Sequence, residues 1–268
     1  MKLEKFFRQH PVFTNKEFAA FLRAEGSHNI RTQESLLGYH SRSGRILRVR
    51  RGLYAVLPAG ANPESYPVDP FVLAAKMADD AVLAYHTALE FHGKAYSVYQ
   101  HFFYLTGHSP RPFNFRAFSF RSVLFPRKLR AKDQQNFGVV VADRAGLEVR
   151  VTGFERTLVD VLDRPDLTGS WEEIWRSLES VEFFDLDVVV DYVLLLDNAT
   201  TAARVGFFLE QHREQLMVQD VHLKALQKLR PRQPHYFDRA RRKDGRLVKR
   251  WNLVVPSAVV SRSWAEVT

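Results

Sequence analysis

Four arginines, Arg45, Arg48, Arg50 and Arg51, fall within seven residues in the stretch RILRVRRGLYAVL, which spans 45–57. Guanidinium groups held this close can neutralise successive phosphates of a polyanion, and one of them can also pair bidentately with guanine. A second set of hydrogen-bonding side chains stands just upstream: Arg31, Thr32, Gln33, Ser35, Tyr39 and Arg42. Gln33 carries the donor and acceptor that the major-groove edge of adenine asks for, and Arg31 the paired donors that suit guanine. A third basic set lies late in the chain, at Arg239, Arg241, Arg242, Lys243, Arg246, Lys249 and Arg250. Its density suits phosphates without any reading of bases, and a solvated or protein-docking patch is the competing expectation.

Side chains that could perform covalent chemistry are sparse. The sequence has no cysteine, which excludes disulfides, cysteine-based zinc sites and a thiol nucleophile. Asp143, Glu148 and Arg150 faintly resemble the acids and base of a metal-dependent nuclease, but they are too close together and a turn explains them. His86 and His92, six residues apart, would sit about 240° apart around a helix and cannot share a metal. No phosphate-cradling glycine loop, nucleophile elbow or zinc-type histidine spacing is present. The expectation is a protein with no catalytic residues, no metal, no cofactor and no enzymatic activity.

The elements that would position the arginines follow from local pattern. Residues 2–9 read as a short helix ended by Pro11. Thr14-Asn15-Lys16-Glu17 reads as a capping box opening a helix that stops near Gly26. A further helix runs from about Arg31 to Ser43, with Leu36, Leu37 and His40 inward and Thr32, Ser35, Tyr39 and Arg42 outward. The arginine stretch then alternates apolar and basic residues about a turn at Gly52, as a β-hairpin does. Leu47 and Val49 would point into a core, and Arg48 and Arg50 away from it. Helices followed by an arginine-tipped hairpin describe a winged helix-turn-helix, whose second helix enters the major groove.

Residues 58–68, PAGANPESYPV, read as a linker, so residues 1–60 form one domain and 61–268 another. Asp69-Pro70 opens a helix, and another covers about 84–91. Strand-like stretches follow at 98–106, 114–125, 137–142 and 147–152, giving a sheet-containing part over about 69–152 with a small antiparallel sheet. Within it, residues 107–132 carry seven Lys/Arg and no acid, interleaved with Phe113, Phe115, Phe118, Phe120 and Phe125. Alternate phenylalanines are the core face of a sheet more often than a base-stacking platform. A helical part covers about 153–268, with capping boxes at Thr152–Glu155 and Ser170–Glu173. A basic hairpin around Asp244-Gly245 comes near its end. The fold class is therefore α+β.

Charge is segregated along the chain. Residues 1–60 carry a net +7, residues 61–220 a net −7 and residues 221–268 a net +9. Residues 155–197 form an acidic helical face, solvated or open to a basic partner. The first ten residues are too charged for a signal peptide, and Val188–Leu196 is too short and too interrupted for a membrane span, so a cytoplasmic protein is expected.

Four stretches together resemble the AbiEi-type antitoxins of abortive-infection toxin–antitoxin systems. They are the Phe13-Thr14 helix start with the helices after it, the Gly44–Tyr54 hairpin, the Tyr85-His86-Thr87-Ala88-Leu89…His92-Gly93 helix, and Val151-Thr152…Glu155–Asp160. The resemblance implies an N-terminal winged helix that binds inverted repeats in its own promoter and represses it. It implies a larger C-terminal domain that counters a nucleotidyltransferase-type toxin, without requiring a stable complex, as in the systems classed as type IV. It brings no catalytic residues, and it places DNA contacts at Arg31, Arg42, Arg45, Arg48, Arg50 and Arg51. The competing expectation is a protein that holds RNA, or the toxin itself, through its basic middle and C-terminal patches.

Overall fold

The computed structural model describes residues 2–109, 111–238 and 245–266. The N-terminal module runs α1 (Lys2–Gln9), β1 (Val12–Thr14), α2 (Asn15–Ala24), α3 (Ile30–Arg42), β2 (Ile46–Arg50) and β3 (Leu53–Val56). Its three strands form an antiparallel sheet in the order β1-β3-β2. This is the element order and sheet of a winged helix-turn-helix, as the sequence predicts. The Thr14 hydroxyl accepts from the Glu17 amide, and the Glu17 carboxylate accepts from the Thr14 amide at 2.7 Å, so the capping box at α2 is complete. Asn29 caps α3 by accepting from the Arg31 amide. The module's core gathers Phe6, Phe7, Phe13 and Phe18 around Tyr54. Each buried phenylalanine contributes roughly 1.5–3 kcal/mol to holding α1 and α2 on the sheet.

The middle of the chain supplies α4 (Pro70–Ala75), β4 (Val82–Leu83), α5 (His86–Phe91), β5 (His101–Thr106), β6 (Phe113–Phe115), β7 (Phe118–Leu124), α6 (Arg127–Ala131), β8 (Val139–Arg144) and β9 (Leu147–Thr152). Antiparallel ladders join β6 to β7, β4 to β5 and β8 to β9. The sheet is nevertheless larger than the strand pattern suggests. Parallel ladders between β5 and β7 and between β4 and β9 fuse these pairs into one six-stranded mixed sheet, ordered β6-β7-β5-β4-β9-β8. Alternation along a strand reports which face is buried; it carries no information about which distant strand lies alongside. Phe113, Phe115, Phe118 and Phe120 pack with Phe102 in the core on one face of this sheet. Their rings are engaged there, as the core expectation has it.

The rest is mainly helical: α7 (Phe154–Asp163), α8 (Trp171–Glu179), α9 (Leu186–Leu196), α10 (Ala199–Gln211), α11 (Asp220–Leu229) and α12 (Ser257–Ser261). It also holds a three-stranded sheet of β10 (His235–Tyr236), β11 (Gly245–Val248) and β12 (Leu253–Pro256). The basic hairpin exists, but it turns over 249–252. Gly245 is a strand residue opposite Pro256. Trp175 and Trp251 are fully buried, and Trp251 lies so close over Gly206 that a Cβ there would meet its ring at 2.2 Å. Two capping boxes are not realised as expected. Gly153, not Thr152, caps α7, because Thr152 ends β9 with its side chain bonded to Thr157. Ser170 caps α8, but Glu173 turns inward to His86 and Ser97.

The two larger parts share a core. Val12, Val49, Leu53 and Ala55 of the N-terminal sheet pack with Phe71 and Val72 of α4 and with Phe102 and Phe120 of the central sheet. Arg116, in the turn between β6 and β7, donates to the carbonyl oxygens of Pro63 and Tyr66, which fastens the linker stretch to the body. Among the described residues, no helix is long and apolar enough to cross a membrane.

Candidate nucleic-acid interface

The outward face of α3 is the one the sequence predicts. Arg31, Thr32, Ser35, Tyr39 and Arg42 are all exposed, while Leu37 is buried beneath them. Between α3 and the β2–β3 hairpin runs an open groove of about 690 Å³. Gln33, Arg42, Arg48 and Arg51 line it, together with Ile30 and Glu34. The structure therefore brings residues from two separate stretches onto one concave surface.

The six arginines expected to contact DNA divide into two groups. Arg31, Arg42, Arg48 and Arg51 are exposed, and among the described residues none has an ion-pair or side-chain hydrogen-bond partner. Arg45 and Arg50 are half-buried and engaged. Arg45 donates to the Leu57 carbonyl oxygen at 2.7 Å and pairs with Glu4 of α1 at 2.6 Å. Arg50 donates to the Met77 carbonyl oxygen at 2.6 Å and lies over the Phe113 ring. The simple alternation expected of β2 fails here for a local reason. Arg48 pairs with Tyr54 but Arg50 with Leu53, so Val49 is an extra residue and the strand bends. Past the bend, Arg50 faces the body and not the solvent.

The groove is braced from below. The Gly52 carbonyl oxygen, at the hairpin turn, accepts from the Asn15 amide at 2.9 Å. The Asn15 carbonyl oxygen in turn accepts from Gln33 Nε2 at 3.1 Å. Gly52 holds φ at +80°, a backbone conformation that favours glycine. One residue at the start of α2 thus ties the hairpin turn to α3. The bond uses one of the two Gln33 amide hydrogens; the other, and Oε1, are still available for adenine N7 and N6.

The base of the module is held by charge as well. Lys76 pairs with Glu17, and Lys16 with Asp79. Burial acts to raise the Glu17 carboxyl, but the bonds from Lys76 and Thr14 outweigh it and hold it below its ordinary value.

The remaining expected residues lie elsewhere. Arg239, Arg241, Arg242 and Lys243 fall outside the described residues. Arg246 and Lys249 are exposed on β11 and the turn after it, whereas Arg250 pairs with Glu210 and lies over Trp251. In the basic middle run, Arg116 is spent on backbone carbonyls, Lys128 pairs with Asp197, and Arg130 donates to the Phe125 carbonyl oxygen. The interior stretches that carry the resemblance meet in the core. His92 Nε2 lies 2.9 Å from the Thr152 carbonyl oxygen. His86 is fully buried, stacked on Tyr99 and 3.2 Å from Glu173 Oε1. Asp143 and Glu148 face each other across the β8–β9 ladder, and Arg150 donates to Asn136 and to the Asp80 carbonyl oxygen. Ile30, at the first turn of α3, escaped the sequence reading, because an apolar residue beside a capping position carries no signal of its own.

Residues 1–57 match the family model described as transcriptional regulator, AbiEi antitoxin. The match covers the whole N-terminal module and ends with the last strand of its sheet. The other interior stretches of the resemblance lie beyond it. A search of solved structures finds the crystal structure of RV2827C protein from Mycobacterium tuberculosis. It is similar over 99% of this chain and 94% of that chain, with a TM-score of 0.62 and 17% sequence identity. At that identity the likeness is one of fold: both parts of the chain, in their order, occur in another protein. No curated protein matches the sequence.

Proposed function

We propose that this protein is a transcriptional autorepressor that binds double-stranded DNA and serves as the antitoxin of a toxin–antitoxin pair. The observation that carries the DNA reading is the convergence of unpaired arginines on one groove. Arg42 comes from α3, and Arg48 and Arg51 from the hairpin, with Gln33 between them. In this reading α3 enters the major groove, Arg31 and Gln33 reach base edges, and Arg48 and Arg51 straddle the flanking phosphates. Arg45 and Arg50 position the hairpin instead of touching the duplex. The target is the protein's own promoter, at inverted repeats that two copies would share. The family description of residues 1–57 supports both the regulatory and the antitoxin role. The partner toxin is of the nucleotidyltransferase type, countered without a stable complex, in defence against phage. No catalytic step belongs to this reading.

Fluorescence anisotropy on the protein's own upstream DNA and on a scrambled duplex, across a salt series, tests it. Preference for the upstream duplex with a steep salt dependence is expected. Equal binding to both duplexes would reduce the module to a generic basic surface. Co-purification with the neighbouring gene product tests the antitoxin mechanism, and a stoichiometric complex would refute the indirect one.

A further inference from the structure

Ile30 has no core to belong to. It is the first residue of α3, its surface is 70% exposed, and it joins none of the buried clusters among the described residues. A lone exposed aliphatic residue usually needs no explanation. Three features set this one apart. A β-branched residue is a poor choice for an exposed helix start, where Ser, Asp, Glu or Pro serve better. It borders the same groove as Gln33, Arg48 and Arg51, one helical turn from Gln33 on the same face. And it shares that groove with Arg42, Arg48 and Arg51, which have no partner among the described residues, so a surface that fills the groove and covers it is anionic and yet presents something apolar.

Few molecular surfaces combine those properties. The major-groove edge of DNA does: amid phosphates and hydrogen-bonding groups, the C5 methyl of thymine is its one apolar feature. We propose that Ile30 is a specificity-determining residue that packs against the C5 methyl of a thymine in the half-site, beside the base pair read by Gln33. This rests on the DNA-binding reading and sharpens it, since it names the base and the atom recognised. Gln33, held by the Asn15 carbonyl oxygen, ties the start of α3 to the hairpin turn through the Asn15–Gly52 bond. Ile30 then contributes selectivity through contact alone, because deoxyuridine pairs as thymine does and lacks only the methyl.

The test uses the full-length protein and the upstream duplex it selects, with each thymine replaced in turn by deoxyuridine. Burying or losing one methyl predicts a loss of about three- to ten-fold at one position per half-site for the unaltered protein. Ile30→Ala should bind the all-thymine duplex more weakly by a similar factor and show little further loss with deoxyuridine at that position. Ile30→Val should keep most of the discrimination. Selective binding that tolerates deoxyuridine everywhere, or a penalty unchanged in Ile30→Ala, overturns the proposal while leaving the repressor reading intact. A uniform loss on every duplex, with a fall in sedimentation coefficient, assigns Ile30 to contact between two copies and equally overturns it. If the unaltered protein selects no duplex, both the repressor reading and this proposal fall.

Discussion

Arg50 Nη2 donates to the carbonyl oxygen of Met77 at 2.6 Å, so a hairpin arginine clasps the body of the protein instead of facing outward. The relationship separates residues of identical type and adjacent position by what they can do. Arg48 and Arg51 have no partner among the described residues and can meet phosphates; Arg50 is half-buried, its guanidinium held on a backbone acceptor across the seam between the two parts. The salt dependence of DNA binding should report this. Arg48→Ala with Arg51→Ala is expected to lower the slope of log affinity against log salt by about 2. Arg50→Ala should leave the slope nearly unchanged. It should cost about 1–3 kcal/mol of stability in urea unfolding, because the Met77 carbonyl loses a charged donor. Equal slope changes in the two variants would show that Arg50 leaves Met77 to bind DNA.

Gln33 should behave differently from every arginine. Its amide is held by Asn15, so it arrives at the duplex already oriented. Gln33→Ala is expected to relax preference at one base pair by about 1–3 kcal/mol with an unchanged salt slope. Binding to the full set of single-base variants of the upstream duplex would check this. A loss spread evenly over all variants would mean that Gln33 only supports α3.

How much of this was legible beforehand depends on the range of the interaction involved. The helix starts at Thr14 and Asp69, the outward face of α3 and the hairpin about Gly52 were readable, since each is decided by residues within a few positions of one another. The turn of Arg50 toward Met77 was not. It follows from a one-residue slip against β3 and from a partner 27 positions away. The inward turn of Glu173 has the same cause. Its sequence position fits a capping box, but His86 and Ser97 compete for the carboxylate and win. The parallel ladders of the central sheet were hidden for the same reason, as pattern reports faces and not neighbours.

The Glu17–Lys76 pair should make the seat of the module acid-sensitive. The Glu17 carboxyl lies below its ordinary value of 4.5, so the folded state holds fewer protons there than the unfolded state. Its contribution is present above about 4.5 and disappears as pH falls through the folded value. Glu17→Gln should therefore cost about 1–2 kcal/mol at pH 7, since it removes both the ion pair and the charge-assisted cap, and less at pH 3. Urea midpoints at the two pH values would check it. A penalty independent of pH would mean that the carboxylate charge does not matter.

His86 gives a pH signature from the opposite end of the titration range. Burial lowers its affinity for a proton and outweighs the neighbouring Glu173, so it lies below the usual histidine value of 6.5. The folded protein then binds fewer protons than the unfolded chain, and stability falls as pH drops below 6.5. Asp160 opposes this trend. Its carboxyl is pushed up to about 6 by burial, against Arg156 and Tyr192, so its contribution falls as pH rises from about 4 to 6. The net curve of the unaltered protein mixes the two, but a difference between proteins does not. His86→Gln can keep a donor to Glu173 while removing the titration. Subtracting its urea stability from that of the unaltered protein should give a difference that shrinks on acidification, by at most about 1.4 kcal/mol per pH unit, with Asp160 cancelling. A difference that is flat from pH 7 to pH 5 would show that His86 binds its proton equally well folded and unfolded, and one that grows on acidification would show that the buried contact with Glu173 holds a charged imidazole.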